Sequence, residues 1–188
     1  MATIGLRDLY RAPITVDEAG KETYGAPVRM AKAISAELSV EVAEAILYAD
    51  DGADEVVKEF VSGELTLNVN DLLPADLAAL LGQTQDSDKV VYAGEDDDPP
   101  YFAIGFRARK ANGMYKYLWL YKVKFAVPSE NYTTKGDSIE FTTPEIVGQF
   151  IKREDGLWKA EHVAAPTEAV AAAWFTKVRE PNTASSGS

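Results

Sequence analysis

The chain has 188 residues, with 19 Lys and Arg against 30 Asp and Glu, for a net charge of −11. That length gives one domain, or at most two small ones, with a core large enough to need no covalent staples. The absence of cysteine excludes disulfide frameworks and thiolate metal sites, the single histidine, His162, weakens metal and Ser-His-Asp readings, and the acidic balance argues against a dedicated nucleic-acid binder.

No apolar window reaches the roughly 18 residues of a spanning helix. The start lacks a basic region followed by an apolar run, so no signal peptide is expected, and the chain reads as soluble and cytosolic. Its charge is uneven. Residues 1–100 hold 7 basic against 21 acidic side chains, and residues 101–188 hold 12 against 9. Such a split is either a chance arrangement of solvated faces or a means for one copy to meet the next.

Period-two alternation dominates and predicts a mainly β domain. Over 30–42 the even positions, Met30 to Val42, form an apolar face, and the odd positions carry Ser35, Glu37, Ser39 and Glu41. Over 62–70, Leu65, Leu67 and Val69 oppose Glu64, Thr66, Asn68 and Asn70. The segment 43–61 between these strands is too long for a tight turn and reads as a long excursion with some apolar content. A helix is expected over 72–82, with Pro74 in its first turn and Gly82 as its stop. A short strand, 89–92, precedes the acidic connector from Glu95 to Pro100.

The next signal is a hairpin of 101–110 with 115–127 around Asn112-Gly113. A two-residue turn there would set Phe106 opposite Trp119, Ile104 opposite Tyr121 and Phe102 opposite Val123, all on one apolar face. The other face would be basic, with Arg107, Arg109, Lys116, Lys122 and Lys124, and would want carboxylate partners. Residues 138–151 read as a strand interrupted at Pro144, and 157–163 as a last strand. Thr167 is expected to cap a second helix carrying Val170, Trp174 and Val178 on one face. The domain is thus expected to span 1–180, with 181–188 a flexible tail whose Ser-Ser-Gly-Ser end looks like an added remnant.

Few motifs carry chemistry. There is no phosphate-cradling glycine pattern and no nucleophile elbow. His162 sits in a predicted strand with no nucleophile motif beside it and reads as structural. Asp50, Asp51, Asp54 and Glu55 lack calcium-loop spacing, and with Glu95 to Asp98 they read as solvated acidic loops. With 30 acidic residues, a carboxylate pair for glycoside hydrolysis carries almost no signal.

Four stretches, taken in order, resemble the major tail protein, or tail-tube protein, of long-tailed non-contractile bacteriophages, in the form common among phages of Gram-positive bacteria. They are Ala45-Ile46-Leu47-Tyr48-Ala49-Asp50-Asp51; the run from Ser62 to Leu72 with the Leu-rich helix ending at Gly82; Ala103-Ile104-Gly105-Phe106-Arg107 with Tyr117-Leu118-Trp119-Leu120-Tyr121-Lys122-Val123; and the run from Thr134 to Pro144. The likeness spans roughly residues 3–160. It implies a β-sandwich or incomplete β-barrel with one or two flanking helices. It implies a structural virion protein, in the phage tail and in the host cytoplasm during assembly, with no cofactor and no enzymatic activity. Its partners would be copies of itself in stacked hexameric rings, a tape-measure protein, tail terminator and tip proteins, and DNA in transit without specific binding.

A DNA conduit should not hold phosphate, so Ser35, Glu37, Ser39, Glu41, Glu64, Thr66, Asn68 and Asn70 are candidates for its lumen, or else an ordinary solvated face. Segment 43–61 would be an assembly arm, with Val56, Val57 and Phe60 as anchors and Asp50, Asp51, Asp54 and Glu55 meeting Arg107, Arg109 or Lys116 of another copy. A packed hairpin within one subunit is the rival reading. A monomeric barrel binding a small ligand against the aromatic hairpin face is the alternative function.

Overall fold

The computed structural model describes residues 3–18, 21–49, 52–129 and 143–181, the side chains of 46–49 and 52–56 excepted. In chain order the elements are β1 (Thr3–Val16), β2 (Glu22–Tyr24), β3 (Val28–Arg29), β4 (Ala33–Ala49), β5 (Gly52–Val69), α1 (Pro74–Leu81), β6 (Thr84–Gln85), β7 (Val91–Tyr92), β8 (Phe102–Lys110), β9 (Tyr115–Phe125), β10 (Glu145–Phe150), β11 (Lys159–Ala164) and α2 (Ala169–Ala172). The protein is mainly β, as the alternation predicts. A nine-stranded antiparallel sheet runs β2-β1-β8-β9-β10-β5-β4, with β3 also on β1 and β11 also on β9.

The sheet curls into an incomplete barrel because one short stretch touches both of its ends. β3 pairs with β1. Just past it, the Met30 N–H donates to the Leu9 carbonyl (2.9 Å), and Lys32 exchanges bonds with Asn70 at the end of β5. The interior holds Leu9, Leu65, Leu67, Val69, Phe102, Ile104, Phe106, Leu118, Leu120, Ile146 and Phe150. α1 packs Leu80 and Leu81 against this core. The helix starts at Pro74, whose missing N–H costs nothing there, and stops at Gly82, which takes φ +70°. Arg11 donates to Asp76 (3.0 Å) and ties α1 to β1.

A second core lies on the outer side of β8 and β9. Trp119, Tyr117, Tyr121 and Ala103 pack there under Ala171, Trp174 and Val178 of the C-terminal segment. The Trp119 indole donates to the Trp174 carbonyl (3.1 Å), and the Tyr121 hydroxyl to the Arg179 carbonyl (2.7 Å).

This second core corrects the expected hairpin register. The observed pairs are Gly105 with Trp119, Phe106 with Leu118 and Ile104 with Leu120. The turn is a three-residue loop: Lys110 N–H donates to Met114 O, and Gly113 takes φ +82°. A left-handed residue after such a turn absorbs one position. The slip moves Trp119 and Tyr121 to the face opposite Phe106 and Ile104. Between Leu120 and Val123 a bulge restores the expected Phe102–Val123 pair.

Segment 43–61 is also corrected. It is no loop off the sheet but the far half of the β4–β5 hairpin, paired from Val42–Phe60 to Ala49–Gly52. The alternation breaks down here, with a continuous apolar run from Ala45 to Ala49 and register shifts at Glu41/Val42 and Leu47/Tyr48, yet the two strands stay paired up to Asp50-Asp51, which lie outside the described residues. The second helix is shorter than expected. It has four residues and its N-cap is Glu168, not Thr167. Packing of Trp174 and Val178 draws the chain after Ala172 into turns, and Val170 stays 39% exposed while Ala171 is buried. The expected strand 89–92 shrinks to Val91–Tyr92. The expected strand 138–151 is described only as β10. Its first part, like the tail beyond Pro181, lies outside the described residues.

Candidate functional site

β4, β5 and β10 turn their apolar alternates into the barrel and leave the other face uncovered. On β5, Leu65, Leu67 and Val69 are fully buried, while Glu64, Thr66 and Asn68 point outward. The ladder sets Ser35 opposite Asn68, Glu37 opposite Thr66, Ser39 opposite Glu64 and Glu41 opposite Ser62. On the other side of β5, Glu145, Val147 and Gln149 sit opposite Asn68, Thr66 and Glu64. Asn68 Nδ2 donates to Ser35 Oγ (3.2 Å) and to Glu145 Oε2 (3.3 Å), and Ser62 Oγ donates to Glu41 Oε2 (3.1 Å). A shallow groove of about 390 Å³ runs between Ser39, Glu41, Ser62, Glu64 and Gln149.

Seven of the eight candidate lumen residues therefore share one hydrophilic face. Asn70 stands apart at the barrel seam, where its side chain accepts the Lys32 N–H (3.0 Å). Four carboxylates, Glu37, Glu41, Glu64 and Glu145, dominate the face, and no Lys or Arg occurs in β4 or β10. Glu145, Val147, Gln149 and Ser62 escaped the sequence reading. Glu145, Val147 and Gln149 do alternate with Ile146, Gly148 and Phe150, but six residues containing a glycine give a weak pattern.

β4 is also the edge of the sheet. It runs for 17 residues with no Lys, Arg or Pro, the usual guards of an exposed edge. Beyond Gly63, β5 leaves β10 and pairs with β4 alone. Val40, Val42, Val57 and Val61 are all between 43% and 54% exposed on this projecting part.

The candidate contact residues are scattered. Asp50 and Asp51 lie outside the described residues, and so do the side chains of Asp54, Glu55 and Val56. Val57 is exposed on the projecting part. Phe60 is committed to its own subunit, stacked on Trp158 with ring centres 4.6 Å apart. Arg107 donates to Asp8 (2.5 Å) and lies over the Tyr115 ring. Lys116 pairs with Glu161 (3.0 Å), while Arg109 is exposed.

Four basic side chains of the β8–β9 hairpin, Arg107, Lys116, Lys122 and Lys124, meet carboxylates within the chain. Lys122 binds Glu22, and Lys124 binds Asp98 (2.6 Å). Hydrogen bonds from Lys159 and Lys116 hold the Glu161 carboxyl below its ordinary range. Burial pushes the Tyr24 and Tyr121 phenols up, against the opposing pull of Arg153, whose guanidinium sits 5.5 and 5.2 Å from their rings.

His162 stacks near Trp174, ring centres 6.1 Å apart. Among the described residues no group of three or more His, Asp or Glu side chains is placed to hold a metal ion. The described helices include none long and apolar enough to cross a membrane. Compared with known proteins, the chain matches no protein-family model and no curated protein.

Proposed function

We propose that this chain is the repeating subunit of a phage tail tube, a structural and non-enzymatic protein. Copies close through their strand edges into hexameric rings, rings stack around a tape-measure protein, and the emptied tube conducts DNA. One observation carries the reading: an uncovered, carboxylate-rich sheet face lies beside a 17-residue edge strand without Lys, Arg or Pro. Such an edge is a liability in a monomer and an asset in a closed ring. A face of carboxylates, hydroxyls and amides repels phosphate and lets DNA slide. The residues that a ligand-binding barrel would use as its cavity wall, Phe102, Ile104 and Phe106, pack against the rest of the interior and are at most 6% exposed.

Negative-stain microscopy of concentrated protein, alone and seeded with purified tail tips, tests the reading. Rings or tubes are expected, and a strict monomer in both conditions overturns it. Reversal of Glu37, Glu41 and Glu64 to Lys should slow DNA ejection from tubes that assemble normally. Unchanged ejection would reject the lumen assignment.

A further inference from the structure

At the opposite end of β4 from the hairpin tip lies a cleft of about 540 Å³ with an unusual charge balance. Arg7, Arg29, Lys32 and Arg107 line it, with Asp8 as their one carboxylate. Asp8 is the extra residue of a bulge in β1, between the pairs Arg7–Arg107 and Tyr10–Gly105, and it adopts φ +55°. A non-glycine residue in that region is uncommon, and Asp tolerates it better than most. The conformation lets Asp8 hold two guanidiniums at once, Arg29 at 3.0 Å and Arg107 at 2.5 Å. Arg7 sits directly across the ladder from Arg107, a like-charge pairing that disfavours the empty cleft. Arg7 and Lys32 are exposed and form no ion pair among the described residues. The cleft is therefore a preformed anion seat with surplus positive charge on a chain of net charge −11.

We propose that this cleft receives the acidic tip of the β4–β5 hairpin from a second copy of the chain. The tip sequence carries Asp50, Asp51, Asp54 and Glu55, the densest acidic run of the hairpin. It cannot reach the cleft of its own subunit. Lys32 and Ala33 of the cleft stand at the root of β4, Ala49 just before the tip ends it, and the strand between them is 17 residues long, about 50 Å at roughly 3.3 Å per residue. A cleft at one end and its complement at the other make a heterologous contact, which joins copies head to tail along the hairpin. This contact rests on the tube reading, for which it supplies the joint between successive copies.

Two charge-reversed proteins test it. One carries Arg7→Glu with Lys32→Glu, and the other carries Asp50→Lys, Asp51→Lys, Asp54→Lys and Glu55→Lys. Each alone should lose self-association in sedimentation velocity by about tenfold or more. Mixed in equal amounts they should recover it, because each supplies the charge that the other's site now needs. Raised salt should weaken the recovered association. A mixture no better than its components, with both folded by circular dichroism, overturns the contact. So does inorganic phosphate that binds the wild-type cleft, is lost in the Arg7→Glu, Lys32→Glu protein and leaves association untouched. Should that protein misfold, Arg7→Ala alone is expected to weaken association several-fold, and unchanged association rejects the contact. Tubes of the Arg7→Glu, Lys32→Glu protein that stack as wild-type tubes do would sink this contact and spare the tube reading. Pairwise association of the mixed proteins without wild-type rings would do the opposite.

Discussion

The two walls of the barrel share one interior and differ on their outer faces. Behind β8 and β9 lie Trp119, Tyr117 and Tyr121, covered by the C-terminal segment. Behind β4, β5 and β10 lie Ser, Thr, Asn, Gln and Glu with Val147 among them, covered by nothing among the described residues. Each wall seats an aromatic over a glycine: Trp119 across from Gly105, and Phe150 across from Gly63. The first glycine faces the covered outer core and the second faces the interior. The barrel thus closes its interior on both sides but finishes only one outer surface by itself. The other is left for something outside the subunit.

The contrast between the walls breaks hardest at Trp119. Trp119→Ala should cost about 3–5 kcal/mol in chemical unfolding, because a fully buried indole and its bond to Trp174 are both lost. A loss under about 1 kcal/mol would mean that the covered wall needs no cover. Gly63→Ala comes next. The added methyl would press into the Phe150 ring, so a cost of about 1–3 kcal/mol is expected. Phe150→Leu in the same chain should recover part of it, a coupling that a double-mutant cycle measures.

Alkaline pH should strike the covered wall selectively. Tyr24 and Tyr121 ionise less readily in the fold than at the ordinary phenol value near 10. Their contribution is fully present below pH 10, where both states are protonated. It is lost as pH rises further, because the unfolded chain then releases protons that the folded chain keeps. Thermal unfolding from pH 9 to 11 should show the fall, and Tyr121→Phe should flatten it. The smallest effect belongs to the bare wall. Glu37→Gln or Glu64→Gln should shift stability by no more than about 0.5 kcal/mol. A cost above about 1 kcal/mol would show that this face supports its own subunit.

The bare wall was legible from sequence and the covered one was not. Strands 30–42 and 62–70 alternate with few breaks, so their polar face could be read residue by residue. In β9 the run from Tyr117 to Tyr121 is apolar on both faces, and alternation alone cannot say which of its residues look inward. The turn decides that, and Asn112-Gly113 fits a two-residue loop as well as the three-residue loop observed. β1 drew no assignment at all. Leu6 and Leu9 both face the interior, three positions apart, because the Asp8 bulge shifts the period between them. The basic cleft was hidden for the same reason, since Arg7, Arg29, Lys32 and Arg107 come from separate segments that the bulge and the seam bring together.

That seam has a dynamic consequence. Most of the barrel is joined by ladders many residues long, but its closure depends on the short contact of β3 with β1 and a few bonds from Met30, Lys32 and Asn70. Local openings begin where backbone bonds are fewest and nearest to solvent. In hydrogen exchange the amides of Met30 and Asn70 should therefore trade their protons well before those of Leu65, Leu67 and Leu120. The barrel would breathe like a purse at its clasp, with β4 swinging on β5 while the covered wall stays shut.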